Sequence, residues 1–254
     1  MNSTNKIALI TGGSRGLGRN MAEHLASQGH DIIITYHTNK TEADAVVAEI
    51  ESKGRKAAAL KLDVGDIRSL EGFTTEVSSL LKSKFGTGHF DFLINNGGIG
   101  GTIPFATATE EDFDRFCNIH FKGVYFLTQK CLNLINDGGR IINLSTGTTR
   151  FANPGYSIYA SMKGAVETLT KYWAKELGAR QITVNVVAPG PVETDFNNGT
   201  IRNNPEIKAR LATVTALGRV GEAEDIGPVV AFLCSTAARW ISGQRIEVSG
   251  GINL

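Results

Sequence analysis

The sequence predicts a single α/β domain, residues 1–254, built on a doubly wound parallel sheet of about seven strands with helices on both faces. Short runs of continuous apolar residues alternate with helix-length segments along the chain, as expected for strands that are buried on both faces. A glycine-rich turn directly follows the first apolar run. No linker, repeat or low-complexity segment divides the chain, and 254 residues, 41% of them hydrophobic, suffice for a substantial core.

The first half of the chain supplies four of the strands. The apolar run 7–10 predicts a buried strand, and the glycine-rich turn after it opens a helix over 17–27, which Gly29 ends. The next three strands alternate with two helices. These strands are predicted at 31–36, 57–62 and 92–94, and the helices at 42–53 and 67–84.

The second half continues the alternation with strands predicted at 140–144, 182–187 and 245–248. A long helix is predicted over 110–136, and another carries Tyr159 and Lys163 and ends near 177. A polar insertion at 195–217 precedes a last predicted helix at 222–235. Because helices separate all the strands, the sheet is expected to be parallel.

Charge and hydropathy exclude two classes of partner. The 26 basic and 25 acidic residues give no general attraction to nucleic acid or to a membrane surface. The N-terminus lacks the long apolar run of a signal peptide, and no later segment is apolar enough to span a bilayer. We therefore expect no nucleic-acid or membrane partner, and a cytoplasmic location.

The cysteines and three scattered histidines show no metal-binding pattern. The cysteines are far apart and form no CxxC pair, which predicts free, buried thiols in a reducing compartment. The histidines also lack the spacing of metal ligands, so no metal site is expected. The residues concerned are Cys117, Cys131, Cys234, His24, His30 and His89.

Tyr159 and Lys163 form the most informative pair in the sequence. Because they are four residues apart on a predicted helix, they lie on the same face. A tyrosine with a pKa of about 10 is a poor acid or base at neutral pH, but a nearby ammonium favours the phenolate and lowers that pKa. The pair is therefore a candidate general acid/base. The same spacing fits an ordinary solvated helix face, so the assignment depends on the other motifs.

A candidate phosphate-binding turn, Thr11-Gly12-Gly13-Ser14-Arg15-Gly16-Leu17-Gly18, connects the first strand to the first helix. Its glycines permit a tight turn and close approach of the backbone to a phosphate. The helix N-terminus offers free N–H groups and a positive dipole to a pyrophosphate. This context predicts a Rossmann-type dinucleotide site, and an ordinary glycine-rich turn is the alternative. The expected contacts are Gly12, Ser14, Arg15, Gly16, Leu17 and Gly18.

The end of the second strand favours NADP(H) over NAD(H). NAD sites usually place Asp or Glu there to hold the ribose 2′-hydroxyl, but this chain has Tyr36, His37 and Thr38. These polar residues, together with Lys40 and with Arg15 of the glycine turn, could contact a 2′-phosphate instead. They could equally be exposed polar residues without a ligand.

The combined motifs resemble the short-chain dehydrogenase/reductase family over essentially the whole chain. Their order and spacing are most similar to the ketoreductases of that family, a group that includes the 3-oxoacyl-carrier-protein reductases. The matching segments are Thr11-Gly12-x3-Gly16-x-Gly18, Asp63-Val64, Asn95-Asn96-Gly97-Gly98, Tyr159-x3-Lys163, Pro189-Gly190-Pro191-Val192-Glu193-Thr194 and 242–251. The resemblance implies hydride transfer between NADP(H) and a small-molecule ketone, aldehyde or alcohol.

The resemblance also implies two sets of cofactor contacts and two catalytic roles. The adenine-side set is Asp63, Val64, Asn95, Gly97 and Gly98. The nicotinamide-side set is Pro189, Gly190, Val192 and Thr194. Tyr159 would exchange a proton with the substrate oxygen, while Lys163 would hold the nicotinamide ribose and depress the pKa of Tyr159. Turn and cap chemistry could also explain Asp63 and Asn95.

The catalytic hydroxyl of this family usually comes from the second residue of a Ser-Ser pair, thirteen residues before the tyrosine. Here the pair is Ser145-Thr146, so Thr146 occupies the catalytic place. A threonine hydroxyl can hydrogen-bond a substrate carbonyl and the tyrosine, although its methyl group narrows the pocket. Ser145 would take this role if the strand end were shifted by one residue.

His120 departs from the family pattern. When the chain is aligned on Gly123-Val124, His120 stands where the family usually has an asparagine that holds a water linking the lysine to solvent. Asn118 is two residues too early to replace it. An imidazole also donates and accepts hydrogen bonds, so it could keep this proton relay and titrate between pH 5 and 8. A buried neutral histidine bonded to a backbone carbonyl is the alternative.

The substrate and the direction of the reaction stay open. The resemblance implies that residues 195–217 close over the substrate, and this segment has no dominant charge. A carrier-protein substrate would favour a basic patch near the mouth, for which Lys208, Arg210 and Arg219 are candidates. The alternative functions are a dinucleotide-binding sensor or scaffold without turnover, and oxidation of a sugar or polyol alcohol. The resemblance also implies a homotetramer or homodimer, joined through the helices near 110–136 and 157–177.

Overall fold

The computed structural model describes residues 5–254 and contains a seven-stranded sheet in which all neighbouring strands are parallel. The strands are β1 Ile7–Ile10, β2 Asp31–Tyr36, β3 Ala57–Lys61, β4 Phe90–Asn95, β5 Ile135–Leu144, β6 Thr183–Pro189 and β7 Arg245–Val248. Their order is β3-β2-β1-β4-β5-β6-β7, so the direction of winding reverses between β1 and β4. The predicted doubly wound fold is confirmed, and such sheets bind ligands at the carboxyl end of this switch point.

Helices connect the strands and cover both faces of the sheet. They are α1 Gly16–Ser27, α2 Lys40–Ser52, α3 Leu70–Leu80, α4 Glu110–Cys117, α5 Gly123–Cys131, α6 Ser157–Glu176, α7 Phe196–Gly199, α8 Pro205–Thr213 and α9 Gly227–Cys234. The last predicted helix begins at Gly227 rather than at 222, after a 3-10 turn. Pro228 then lies in the first turn of α9. The N–H groups of a first turn have no acceptor within the helix, so the missing N–H of proline costs no hydrogen bond there.

Two hydrophobic clusters fill the space between the sheet and its two helical layers. Because alternate side chains of a strand point to opposite faces, Ala8 and Ile10 pack in the first cluster and Leu9 packs in the second. The first cluster joins the sheet to α1, α2 and α9, and the second joins it to α3, α5 and α6. The strand ends, and the loops that follow them, are therefore held in fixed positions.

The helix predicted over 110–136 is interrupted in the structure. Between α4 and α5 lies a π-helical turn, Asn118–Lys122, which contains His120. Such π-bulges are frequent at functional sites. Strand β5 begins at Ile135 rather than at 140, and its pairing with β4 is irregular between Phe90 and Phe92.

The described part of the chain, residues 5–254, has no helix that is both long and apolar enough to cross a membrane. Within the same residues, no group of three or more His, Cys, Asp or Glu side chains could hold a metal ion. The cysteines are free, and burial raises the pKa of Cys131 and of Cys234 to about 12. These two thiols are therefore unreactive packing groups.

Candidate active site

The candidate active site lies at the carboxyl end of β5, where α6 begins. Tyr159 and Lys163 occupy the first turns of α6 and share one face of the helix. The Lys163 Nζ donates a hydrogen bond to the carbonyl oxygen of Leu144, the last residue of β5, at 2.7 Å. It also lies 5.8 Å from the centre of the Tyr159 ring. The strand end and the helix thus place a phenol and an ammonium side by side.

The structure separates the two candidate hydroxyls. Thr146 follows β5, and its Oγ1 accepts a hydrogen bond from the Thr148 N–H at 3.3 Å, which orders the turn after the strand. The Thr146 side chain also lies close enough to Tyr159 to lower the pKa of the phenol. Ser145 instead donates from Oγ to Oε1 of Glu167 at 2.6 Å. Thr146 is therefore the hydroxyl beside the tyrosine.

Burial governs the protonation of the Tyr159–Lys163 pair. Desolvation raises the pKa of Tyr159 above its usual value, and the neighbouring Thr146 side chain offsets only part of that rise. Burial lowers the pKa of Lys163 to about 8. The protein alone therefore holds Tyr159 protonated, whereas the sequence suggested that Lys163 depresses the tyrosine pKa. The reason is that desolvation of the buried phenol outweighs the influence of its neighbours.

His120 is enclosed between Tyr159 and the loop after β4. It is fully buried, its Nε2 donates to the carbonyl oxygen of Ile99 at 2.9 Å, and its ring centre lies 5.1 Å from that of Tyr159. Burial and, to a smaller extent, the charge of Lys163 hold the pKa of His120 well below its ordinary value. The histidine is therefore neutral at neutral pH. Within residues 5–254, its buried Nδ1 has no hydrogen-bond partner.

The glycine turn forms a backbone cradle at the N-terminus of α1. Gly12 has a φ of 65°, and a Cβ on Gly18 would lie 2.1 Å from the Gly12 carbonyl oxygen, so both positions require glycine. Asn96 supports the turn, because its Nδ2 donates to the carbonyl oxygens of Thr11 and Gly12 at 2.9 and 3.1 Å. Helix α1 begins after Arg15 without a side-chain cap. Its first N–H groups can therefore bind an anion such as a pyrophosphate.

The loop after β6 forms the opposite wall of the groove. Pro189 ends the strand, Gly190 packs closely against the chain after β7, and Val192 forms an isolated β-bridge. A cavity of about 250 Å³ lies between this loop and helix α1, lined by Glu193 and Thr194 on one side and by Gly16, Arg19 and Asn20 on the other. The cradle and the open helix N-terminus fit the pyrophosphate of a dinucleotide.

The residues that the sequence predicts for the adenosine side of the groove lie at the ends of β2 and β3. The polar residues at the end of β2 are Tyr36, His37 and Thr38. The Nε2 of His37 lies 3.6 Å from Oδ2 of Asp63, so the two strand ends adjoin. Arg15 is exposed and has no acidic partner within residues 5–254. Lys40 is paired with Asp44 at 2.7 Å, which makes it less available for a phosphate than Arg15.

Asn95 does not reach the groove with its side chain. It is buried, and its Nδ2 donates to Oγ1 of Thr128 at 3.0 Å and to Oδ1 of Asn143 at 2.8 Å. The next glycines, Gly97 and Gly98, pack against the glycine turn and the π-turn, respectively. The Asn95 amide is therefore not available to the expected adenine-side set, and instead joins β4 to β5 and α5.

Two further expected contacts support the loops of the groove. Leu17 packs against the first hydrophobic cluster. The backbone of Val64 lies against Gly123 at the start of α5, so closely that a Cβ on Gly123 would be 2.2 Å from the Val64 carbonyl oxygen. Ser14 belongs to the glycine turn itself. Leu17 and Val64 therefore join the loops of the groove to the first hydrophobic cluster and to α5, respectively.

A larger cavity, of about 870 Å³, lies at the opposite, amino edge of the sheet. Two ion pairs occupy its lining, Lys6 with Asp91 at 3.0 Å and Arg180 with Asp137 at 2.7 Å. None of the expected site residues lines it, and ligands of doubly wound sheets bind at the carboxyl edge. The amino-edge cavity is therefore not the candidate site.

Sequence reasoning missed three residues around the catalytic pair. Glu167 lies four residues after Lys163 and eight after Tyr159, and this spacing was the signal that could have found it. Arg245 opens β7, and no local pattern connects it with the distant end of β5. Phe196 lies in the polar insertion, and its ring centre is 6.3 Å from that of Tyr159.

Comparison with protein families gives a match over nearly the whole chain. The family model described as enoyl-(acyl carrier protein) reductase matches residues 12–253. The chain is also similar to the 3-oxoacyl-acyl-carrier-protein reductase FabG of Staphylococcus aureus, strain Mu50, with 38% identity over 249 residues. That alignment covers 97% of this chain and 98% of the relative.

Two reductases of other substrates are similar over comparable lengths. A hydroxynaphthalene reductase-like protein of Metarhizium brunneum is 36% identical over 258 residues, which cover 97% of this chain and 94% of the relative. The solved structure of the angucycline C-6 ketoreductase LanV with bound NADP superposes with a TM-score of 0.92 at 38% identity. It covers 98% of this chain and 95% of that structure.

Proposed function

Because the chain belongs to the short-chain dehydrogenase/reductase family and is an NAD(P)-dependent oxidoreductase, we propose that it uses NADPH to reduce a ketone or aldehyde to an alcohol. The observation that carries this proposal is the arrangement at the end of β5, where Tyr159 lies beside Lys163 and Thr146 and burial keeps its hydroxyl protonated. A protonated phenol next to a second hydroxyl can donate to a carbonyl oxygen as that oxygen gains negative charge.

In the proposed mechanism, the glycine turn and the N-terminus of α1 hold the pyrophosphate, and the bound cofactor supplies the hydride. The substrate oxygen accepts hydrogen bonds from Tyr159 and Thr146. Tyr159 then gives its proton to that oxygen, so that hydride and proton together complete the alcohol. Lys163 stabilises the resulting phenolate, and its pKa of about 8 lets it pass a proton back near neutral pH. His120 stays neutral, so its Nδ1 can accept a hydrogen bond.

The proposal favours NADPH over NADH. Support comes from the end of β2, which carries His37 and Thr38 but no acidic residue, and from the exposed Arg15 of the glycine turn. A guanidinium and an imidazole are suited to a 2′-phosphate, whereas an acidic residue there would repel it. The similar ketoreductase LanV was solved with NADP bound, which supports the same preference.

The proposed substrate is a planar aromatic ketone rather than a carrier-protein thioester. Aromatic rings approach Tyr159: the ring centres of Phe196 and Tyr156 lie 6.3 and 6.4 Å from its own. A half-exposed Phe196 beside a catalytic tyrosine is suited to stacking on a flat ring. The names of two similar proteins, a hydroxynaphthalene reductase-like protein and an angucycline ketoreductase, point to the same class.

The basic residues near the insertion do not form the free patch that a carrier protein would need. Lys208 is paired with Glu193 at 2.6 Å, and Arg219 is paired with Asp225 at 2.6 Å. Arg210 alone would leave little attraction for an acidic partner. This argues against the activity that the name of the Staphylococcus relative describes, despite 38% identity.

Residues 195–217 are proposed as the cover of the substrate. The segment contains α7 and α8, and Asn197 and Asn198 inside α7 adopt left-handed φ values of 54° and 58°. The Phe196 ring and Asn197 lie against Gly100, in the loop after β4, so the cover already touches the opposite side of the pocket. An ion pair between Arg202 and Asp195 ties the two ends of α7 together.

A homotetramer or homodimer is proposed on two exposed aromatic residues. Tyr172 on α6 is 64% exposed and Trp240, before β7, is 97% exposed. Large exposed aromatic side chains are typical of contact surfaces between proteins. Sedimentation equilibrium tests this point, because Y172K and W240K should each lower the assembly state if these faces join subunits.

The decisive experiment measures oxidation of NADPH and NADH over a panel of bicyclic aromatic ketones, small aliphatic ketones and 3-oxoacyl thioesters. We expect turnover with NADPH, highest kcat/KM with the aromatic ketones, and loss of roughly 10³-fold or more in kcat for Y159F with NADPH binding retained. H37A and R15A should weaken NADPH binding about 10-fold and NADH binding little. Tight NADPH binding without turnover would favour a sensor, and a Y159F variant with wild-type turnover would reject the mechanism.

A further inference from the structure

Three side chains of α6 form a stripe along the end of β5. Tyr159, Lys163 and Glu167 follow one another at four-residue intervals, so they lie on one face of the helix. Lys163 donates to the carbonyl oxygen of Leu144, and Ser145 donates from Oγ to Oε1 of Glu167 at 2.6 Å. Two side chains of α6 therefore hydrogen-bond to the end of β5, immediately before Thr146.

One carboxylate oxygen of Glu167 accepts hydrogen bonds from three side chains. Its Oε1 accepts from Oγ of Ser145 at 2.6 Å, from Oγ1 of Thr149 at 2.7 Å and from Nε of Arg245 at 2.8 Å. Ser145 and Thr149 flank the turn that contains Thr146, so both ends of this turn are tied to one oxygen. The side chains of Glu167 and Arg245 are only 17% and 23% exposed, so water screens their attraction weakly.

Arg245 holds the same turn from β7. Its Nη2 donates to the carbonyl oxygen of Thr146 and to Oγ1 of Thr149, both at 3.2 Å. Its Nη1 donates to Oε2 of Glu247 at 2.8 Å, which fixes the plane of the guanidinium. Glu247 also accepts from Arg150 at 2.6 Å, and Arg150 ends the turn. The turn is therefore enclosed by alternating charges from α6 and β7.

We propose that the ion pair of Glu167 and Arg245 is a positioning device that sets the Thr146 hydroxyl against Tyr159 for proton transfer. The inference rests on the proposed function, because Thr146 and Tyr159 are the groups that act there. Neither Glu167 nor Arg245 touches the reacting atoms. They act through the backbone and side chains of the turn, so that a hydroxyl on a short loop is held as rigidly as one on a strand.

The carboxylate charge at position 167 is required because a single oxygen serves two hydroxyls and a guanidinium. A glutamine keeps one carbonyl acceptor, but it brings an NH₂ donor and removes the charge that attracts Arg245. E167Q is nearly isosteric, so it alters the charge more than the packing. Glu176, exposed at the end of the same helix, provides the matched control variant E176Q.

The first test is amide hydrogen exchange of the intact protein. In E167Q, exchange in the turn at 145–150 should rise about fivefold or more, while β1, β4 and β6 keep their wild-type protection. E176Q should match the wild type throughout. Unchanged exchange at 145–150 in E167Q would overturn the proposal, whatever the activity of the variant.

The second test is kinetic. E167Q should lower kcat for ketone reduction about 10- to 100-fold and change the Kd of NADPH by less than about twofold, because the dinucleotide cradle is not touched. R245K, which keeps the charge, should recover part of the activity that R245Q loses. Wild-type kcat in E167Q would overturn the proposal even if exchange in the turn had risen.

The pH dependence gives a signature that lower stability alone would not produce. The Thr146 side chain lowers the pKa of Tyr159, so displacing or removing it should raise that pKa further. Alcohol oxidation needs the phenolate, so the rising limb of kcat/KM in that direction should move to higher pH in E167Q, as in T146A. An unmoved limb in E167Q, with a moved limb in T146A, would overturn the proposal. Wild-type protein without turnover would instead contradict the proposed function, and the exchange test would still decide the role of the ion pair.

Discussion

The Nζ of Lys163 lies 2.7 Å from the carbonyl oxygen of Leu144, so a buried lysine is hydrogen-bonded to the last residue of a central strand. The contact fixes the ammonium beside Tyr159 but provides no opposite charge. An ammonium without a carboxylate partner costs free energy in the folded state. Lys163 is therefore expected to lower the stability of the protein while serving its chemistry.

The first prediction is that K163M stabilises the fold at pH 7 and not at pH 10.5. The folded-state pKa of Lys163 is about 8 against an ordinary 10.5, so between these values the unfolded chain binds more protons than the folded one. Wild-type stability must therefore rise with pH across this window, and K163M lacks that rise. The increase in the free energy of unfolding caused by K163M should be larger at pH 7 than at pH 10.5 by roughly 3 kcal/mol.

Urea unfolding at the two pH values measures this difference. K171M removes an exposed lysine from the same helix and serves as the control, for which no pH-dependent gain is expected. If K163M raises the free energy of unfolding equally at pH 7 and pH 10.5, burial of the Lys163 charge does not destabilise the folded protein.

The second prediction distinguishes the two hydroxyls at the end of β5. T146A should reduce kcat by about 10²- to 10³-fold, as expected when one donor to a developing oxyanion is lost, whereas T146S should retain most activity. S145A removes a donor to Glu167 and should have a smaller effect on kcat. Steady-state kinetics with one ketone compares the three variants. A larger loss in S145A than in T146A would reverse the assignment.

The sequence was sufficient to predict the sheet, because continuous apolar strands alternate with helices in regular order. The glycine turn and the pair of Tyr159 and Lys163 were also predictable, since each is a local pattern with a spacing that physics explains. The choice of Thr146 instead came from the family resemblance, through its place thirteen residues before Tyr159.

Long-range contacts and desolvation were not predictable in this way. Glu167 and Arg245 are separated by 78 residues, and only the folded sheet brings their side chains to the same turn. The π-turn around His120 leaves no clear local signal, because its residues fit an α-helix equally well. The pKa of Tyr159 rises instead of falling because burial, which no local motif reports, outweighs its neighbours.

The third prediction concerns His120, which is neutral in the folded protein. Its folded-state pKa is lowered, so the unfolded chain binds the extra proton as the pH falls below the ordinary value of about 6.5. The stability of the wild type should therefore decrease from pH 7 to pH 5 more than that of H120N. Over the same pH range, the wild-type profile of kcat against pH should have the same rising and falling limbs as the profile of H120N.

Thermal unfolding and kcat profiles from pH 5 to 8 test both parts. H89N, which removes an exposed histidine, is the control for general charge effects. A kcat limb near pH 6.5 that disappears in H120N but persists in H89N would show that His120 titrates during turnover.

The fourth prediction concerns the ring of Phe196, which lies 6.3 Å from the ring of Tyr159 and is 45% exposed. If this ring stacks on a planar substrate, F196A should lower kcat/KM for bicyclic aromatic ketones about 10-fold, the value of one aromatic contact together with its buried area. Small aliphatic ketones cannot span the distance to the ring and should lose less than about twofold. F232A, which removes a phenylalanine of similar exposure from α9, should affect neither class of substrate. Equal losses for aromatic and aliphatic ketones in F196A would show that Phe196 only shapes the cover, and the assignment of an aromatic substrate would then lose its structural support.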